Sequence, residues 1–201
     1  MSATPATSTT PQPPEPTPNV DEELVTQLWE SEVFWYALPT PAHLADVPEI
    51  ELVVTGRVQG FEPGPIYFAE SLDDPEAEPN VVMSVTVDEV LKGDIQVGST
   101  VYVAREDEKP LAAYSEALPP GTVVGLYLDA APEEGDREGF VVGNENAGHP
   151  AGEPLWQVGP QAFIVADGED GGVIFPIDPR VSPQADFEDQ LPPPDSTAPS
   201  N

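Results

Sequence analysis

Two histidines and several runs of acidic residues are the side chains whose chemistry could support catalysis. His43 and His149 lie in predicted loops about a hundred residues apart. A histidine ring gains or loses a proton near neutral pH, so either residue could serve as a general base beside a carboxylate in a cleft. The sequence has no G-x-S-x-G nucleophile elbow, no glycine-rich phosphate loop and no H-E-x-x-H pair. We therefore expect a protein that is not an enzyme, with a carboxylate-based hydrolase as the alternative.

Two of the acidic runs carry the oxygen donors that calcium prefers. The candidate ligands are Asp73, Asp74, Glu76 and Glu78 in the first run, and Asp167, Glu169 and Asp170 in the second. Neither run matches the D-x-[DN]-x-[DN]-G calcium loop, because Gly171 stands where the third ligand of the second run should be. We expect both runs to be solvated turns, with calcium binding as the alternative and no other cofactor.

Large aromatic residues provide a third candidate site. They are Trp29, Trp35, Tyr67, Phe68 and Trp156. Gathered on one face of a small barrel, they would form a platform for a sugar or a peptide. The alternative is that they belong to the core, because aromatic side chains contribute much of the buried area of a small domain.

The charge balance excludes several classes of protein. The 201 residues include 37 Asp and Glu but six Lys and Arg, for a net charge of −31. Nucleic-acid binding and direct binding to an anionic membrane surface both need clustered basic residues, so we expect neither. The chain has no Cys, which excludes disulfides, thiol catalysis and thiolate metal sites. The partner we expect is an unidentified protein or glycan of the cell envelope.

Alternation of aliphatic residues predicts a mainly β domain. Four segments repeat β-branched or aliphatic residues with a period of two, which is typical of half-buried strands. They are Ile50–Val58, Val81–Val87, Thr100–Ala104 and Thr122–Leu128. Lys92-Gly93-Asp94 predicts a turn between the second and third of these strands. A further short strand is predicted at Phe140–Val142, followed by a hairpin with arms Ala162–Ala166 and Val173–Pro176.

Two helices are predicted around these strands. From Asn19 or Asp21 to about Ala37, apolar side chains recur at helical spacing, and acidic residues occupy the first turn. The segment from Val33 to Leu38 could instead form a strand. We expect this helix to pack on the domain, with docking to a partner as the alternative. A second helix, between Lys109 and Leu118, ends at Pro119-Pro120-Gly121. A helix between the third and fourth strands of a small β domain indicates an OB-like Greek-key barrel.

Short sequences along the strands resemble the OB-like barrels of exported bacterial proteins and, more distantly, the netrin and tissue-metalloprotease-inhibitor module. They are Val53-Val54-Thr55-Gly56-Arg57-Val58, Val85 to Asp94, Val101-Tyr102-Val103, Leu118-Pro119-Pro120-Gly121 leading into Leu126-Tyr127-Leu128, and a closing hairpin from Gly159 to Pro176. The resemblance covers about residues 48–178. It implies the fold and an extracytoplasmic setting. The inhibitory mechanism of that module does not transfer, because it depends on an N-terminal Cys.

The two ends of the chain differ from its middle in composition. Residues 1–18 are rich in Pro and Thr, and 183–201 form an acidic, Pro-rich tail, so we expect both to be unstructured linkers around a domain at 19–182. Such linkers favour a module that is exported or tethered at the cell surface. If it is attached to a membrane, we expect the attachment to be a lipid anchor. The alternative is a salt-adapted intracellular protein, because so acidic a domain gains stability from screening.

Overall fold

The computed structural model describes residues 18, 20–28, 41–68, 78–106, 109–133, 136, 141–168, 172–174 and 186–193. In this part of the chain the structure is mainly β, as the alternation predicts. Seven strands form one sheet: β1 (Leu52–Phe68), β2 (Glu78–Lys92), β3 (Thr100–Glu106), β4 (Val123–Ala130), β5 (Val141–Gly143), β6 (Leu155–Ala166) and β7 (Val173–Ile174). The helices are α1 (Glu22–Gln27) and α2 (Leu111–Ala117), with two 3-10 helices, η1 (Pro41–Asp46) and η2 (Glu188–Gln190).

Five strands pair in a ring. Strand β1 pairs antiparallel with β2 and β4, β2 pairs antiparallel with β3, and β4 pairs antiparallel with β6. The ring of pairings is completed by a parallel contact between β3 and β6. Strand β5 adds to the C-terminal end of β1, and β7 adds to the end of β6.

The long strand β1 bends as it passes from one neighbour to the next. Its register with β2 shifts at four places, the first two between Val53 and Gly56, and such irregularities bend a strand and increase its twist. At Gly56 the neighbouring strand approaches so closely that a Cβ would lie 2.4 Å from the Thr86 carbonyl oxygen. Glycine is therefore required at this position of β1.

The inward side chains form the main core. Val54, Val58, Val85, Val103 and Leu126 are each no more than 1% exposed, and they belong to one cluster. Helix α2 adds Tyr114, Ala117 and Leu118 to this cluster, and the N-terminal segment adds Val20, Val25 and Leu28. The burial of these residues explains the alternation in the sequence, since the members of this cluster recur at every second position of β2, β3 and β4.

Helix α1 begins as its sequence predicts. Asp21 is the N-cap, and its carboxylate accepts hydrogen bonds from the backbone N–H groups of Glu23 (3.0 Å) and Leu24 (3.3 Å). The helix lies against α2, with Val25 fully buried. The predicted continuation of this helix from residue 29 to about 37 lies outside the described residues.

A second, smaller cluster lies on the outer side of the sheet. It contains Val53 of β1, Tyr127 of β4 and Leu44 of η1, and Leu191 packs against it after η2. Segment 186–193 therefore differs from the expectation of an unstructured tail: Gln190 is buried, and its carbonyl oxygen accepts a hydrogen bond from the Tyr127 hydroxyl at 2.6 Å. The apolar contacts of Leu191, the Tyr127–Gln190 hydrogen bond and an antiparallel bridge between Gly172 and Asp186 hold this segment in spite of its acidic, Pro-rich composition.

Candidate functional site

A groove of about 370 Å³, open to solvent, lies where β5 joins the end of β1. Three parts of the chain surround it: the β1–β5 ladder, the residues after β4, and the loop that connects β5 to β6. The lining residues are Pro65, Tyr67, Ala131, Pro132, Glu133, Val142, Glu145, Asn146, His149, Gly152, Glu153, Pro154 and Leu155.

The apolar floor of the groove is one face of the β1–β5 ladder. Pro65 and Tyr67 are two positions apart on β1, so their side chains point to the same face. Val142 is the partner of Tyr67 in the register and therefore shares that face. Tyr67 is 6% exposed, and desolvation raises the pKa of its hydroxyl, which stays protonated at neutral pH.

The loop after β5 forms one wall, and its backbone is held in tight turns. Asn144 has a positive φ of 55°, and the N–H of Ala147 donates to its carbonyl oxygen at 2.7 Å. Gly148 has a φ of 75°, and a Cβ there would lie 2.7 Å from the Val82 side chain. This glycine therefore allows the loop to pack closely against the sheet.

His149 belongs to this wall and is held by a backbone group. Its Nε2 lies 3.0 Å from the carbonyl oxygen of Glu145, so Nε2 must carry the proton. In the neutral ring Nδ1 is then an acceptor, and this buried atom has no hydrogen-bond partner among the described residues. The imidazole also lies beside Tyr102, with 6.2 Å between the ring centroids.

The rim of the groove carries negative charge. The side chains of Glu133, Glu145 and Glu153 are exposed, and the described residues that line the groove include no Lys or Arg. A turn holds the first of these residues, because the Asp136 carboxylate accepts a hydrogen bond from the Glu133 backbone N–H. In the described part of the chain, no three His, Asp or Glu side chains are close enough to hold a metal ion. The three carboxylates therefore surround the groove without converging on one point.

A comparison with family models, curated proteins and solved structures finds no match to this chain. In the described residues, no helix has the length and apolar character needed to cross a bilayer. The case for a functional site therefore rests on the groove itself.

The predicted aromatic platform is only partly described. Tyr67 is in the groove floor, whereas Phe68, the next residue of β1, is 9% exposed and belongs to the opposite face of the ladder. Trp156 lies on β6, half-buried against the main core. Trp29 and Trp35 lie outside the described residues. The described aromatic residues thus contribute mainly to packing, and Tyr67 alone among them also lines the groove.

The calcium candidates fall largely outside the described residues, which include only Glu78 and Asp167 of the seven. Glu78 is the exposed first residue of β2. The Asp167 backbone N–H donates to the Gly172 carbonyl oxygen at 2.9 Å and closes the β6–β7 turn. Asp73, Asp74, Glu76, Glu169 and Asp170 are not described, so calcium binding at either run stays a prediction.

The histidines behave differently from each other. His43 is exposed on η1 and does not line the groove, whereas His149 shares the groove with three glutamates. The hydrogen bond of His149 runs to a backbone carbonyl rather than to a carboxylate. A hydrolase of the expected kind would need a cleft and a histidine hydrogen-bonded to a carboxylate. The groove provides the cleft, but the hydrogen bond described for His149 is not of that kind. The sequence signal for this wall was the cluster of Gly and Pro from Gly148 to Pro154, which predicts tight turns but not what they enclose.

Proposed function

We propose that this protein is a non-enzymatic binding module with an OB-like barrel, exported or tethered at the cell surface, and that the groove beside β5 is its binding site. The single observation that carries the proposal is the groove: an apolar floor from the sheet, a rigidly turned wall and an acidic rim. The partner is a protein or glycan of the cell envelope.

The order of the strand pairings supports the OB-like assignment. In a closed five-stranded barrel each strand pairs with two neighbours, so the series of pairings leads from the first strand around the barrel and back to it. Here the pairings run from β1 through β2, β3, β6 and β4 back to β1. Helix α2 lies between the third and fourth strands, as in that fold. OB-folds bind ligands with the face of strands 2 and 3 and with the loops after strands 1 and 4, and much of the groove is lined by the connection between β4 and β6.

The remaining described surface offers little to an apolar partner. Among the described residues, Val97 is the one large hydrophobic side chain that is highly exposed, at 57%. Stable interfaces usually have an apolar centre surrounded by polar residues. The groove brings half-buried apolar side chains such as Val142 and Leu155 together with polar groups, so binding is expected there.

The tethered location rests on composition. The Pro- and Thr-rich residues 1–18 are typical of extended linkers that hold a domain away from an anchor. The net charge of −31 opposes direct contact with an anionic membrane, so attachment to a membrane would require a lipid anchor.

The experiment is site-specific photo-crosslinking in a cell-envelope extract of the organism that encodes the protein. A photoreactive phenylalanine analogue replaces Glu153 in the groove rim or, as the matched control, the exposed Glu116 on α2. A discrete adduct from position 153, competed away by excess unlabelled protein and not formed from position 116, supports the proposal. Adducts from both positions, or from neither, would overturn it.

A further inference from the structure

We infer that the groove binds a lysine or arginine side chain presented by a partner polypeptide. This inference rests on the proposed function and deepens it by naming the chemical group that the site takes. It is argued from the size of the groove, the polarity of its atoms and the arrangement of its charges.

The size and floor of the groove suit one long side chain with its flanking backbone. Its volume of about 370 Å³ is at the small end of the roughly 300–1,000 Å³ of ligand pockets. Tyr67, Val142 and Leu155 provide an apolar surface on which methylene groups can lie. Lysine and arginine combine such a stem with a charged end, and they bury the stem while the end stays near water.

The carboxylates on the rim of the groove favour a ligand that donates hydrogen bonds. Ionised carboxylates only accept hydrogen bonds, and three of them lie on the rim of the groove. An ammonium or guanidinium group donates and never accepts. An anionic ligand would instead meet the repulsion of the three glutamates, with no Lys or Arg among the described lining residues to offset it.

The arrangement of the carboxylates favours an organic cation over a metal ion. Glu133, Glu145 and Glu153 come from the two walls, and they do not meet as a metal-binding group. A metal ion needs several ligands within about 2.0–2.6 Å of one point. The one charged end of a side chain that lies along the floor needs only a single carboxylate within reach, and the rim offers one on either wall.

The test uses the full-length protein and a short peptide with one lysine between valines, Ac-Gly-Val-Lys-Val-Gly-amide. Two control peptides replace the lysine with norleucine, which keeps the stem without the charge, or with glutamate. Binding is followed by NMR titration of the backbone amides at low ionic strength. We expect the lysine peptide to change the chemical shifts of the Val142 and Glu145 amides and not those of the distant turn around Val97. The two control peptides should bind more weakly or not at all.

Because the whole chain is strongly negative, the decisive comparison is between two variants of equal charge. The groove variant carries Glu133→Gln, Glu145→Gln and Glu153→Gln. The matched control carries Glu49→Gln, Glu89→Gln and Glu116→Gln, three exposed carboxylates that do not line the groove. An exposed ion pair contributes about 0.2–1 kcal/mol, so the groove variant should raise Kd by up to about fivefold and the control by less than about 1.4-fold.

Three outcomes would overturn the inference. The first is an equal loss of affinity in both triple variants, and the second is equal affinity for the lysine and norleucine peptides. The third is that spermidine binds as tightly as the lysine peptide, because the ligand would then be a small polyamine rather than a polypeptide. If any of these outcomes occurs while the crosslink from position 153 is still formed, the further inference is wrong and the proposed function is still supported. Loss of the groove-specific crosslink would remove both.

Discussion

The hydrogen bond between Tyr127 and Gln190 provides a sharp test of how the C-terminal segment is held. Tyr127 lies in β4 with no exposed surface, and its hydroxyl donates to the Gln190 carbonyl oxygen at 2.6 Å. Burial raises the pKa of the phenol well above its usual value, so the hydroxyl remains a donor throughout the normal pH range. Tyr127→Phe removes the donor and keeps the ring.

The expected cost follows from the burial of both partners. A neutral hydrogen bond contributes about 0.5–1.5 kcal/mol, and a buried acceptor left without a partner costs about 1–3 kcal/mol. Gln190 is 7% exposed, so water cannot easily replace the lost donor. We therefore expect Tyr127→Phe to lower the free energy of unfolding by about 1–3 kcal/mol, which corresponds to about 2–4 °C in Tm for each kcal/mol.

The assay is urea denaturation and calorimetry of the substitution in two backgrounds, the full chain and a chain that ends at Ala185. In the shorter chain the hydroxyl has lost its partner, so Tyr127→Phe should change the stability by less than about 0.5 kcal/mol. Circular dichroism serves as the control that the shorter chain keeps its β structure. An equal loss of stability in both backgrounds would show that the hydroxyl acts elsewhere and would refute the reasoning.

Three further predictions concern the core, a surface ion pair and a half-buried carboxyl. Leu126→Ala, at a fully buried position, should cost about 2–5 kcal/mol in urea denaturation, whereas Val97→Ala at the exposed turn should change stability by less than about 0.5 kcal/mol. The Arg57–Asp88 pair (Nε–Oδ2 3.2 Å) is partly solvated, so Asp88→Asn should cost at most about 1 kcal/mol, and less in high salt; a larger loss would mean that the pair is shielded from water. Desolvation raises the pKa of Asp129, with a smaller contribution from Glu51, so the ionised carboxylate destabilises the folded state above that pKa. Asp129→Asn should therefore raise Tm at pH 7, and the gain should vanish as the pH falls to about 3, where the carboxyl is protonated in both states; a gain that persists at low pH would contradict this cause.

The sequence predicted the elements whose side chains alternate strictly. The strands around Val54, Val85 and Leu126 were predicted because one face of each is buried in the main core. Helix α2 was predicted from its apolar stripe and the Pro-Pro-Gly that follows it. In these segments, local pattern and tertiary burial agree.

The sequence could not predict the second half of β1 or the start of β6. Pro63 and Gly64 interrupt the alternation, yet Pro63 stands opposite Val81 in the β1–β2 ladder because register shifts accommodate it. Leu155 begins β6 through pairing with β3, a parallel contact between segments about fifty residues apart. Both features depend on a partner strand that is distant in the sequence, and such pairing leaves little local signal.

The groove was missed for the same reason. Its floor exists only because β5 pairs with the far end of β1 and brings Val142 beside Tyr67. The wall requires Gly148 to pack against Val82. The acidic side chains of the rim were visible in the sequence, but they were indistinguishable from the many other acidic residues until the fold placed them together.

The net charge and the groove should act on different stages of binding. A net charge of −31 creates a long-range field that accelerates the approach of a cationic partner and is screened over about 10 Å at 0.1 M salt. The groove variant and its matched control carry the same net charge, so added salt should slow association with a basic partner to the same extent in both. Direct contacts with a bound partner act after it has arrived, and mutations of one interface change mostly the dissociation rate, so the groove variant should dissociate faster than the control. If the two variants instead differed in association rate and not in dissociation rate, the glutamates of the rim would be part of the general field rather than a site.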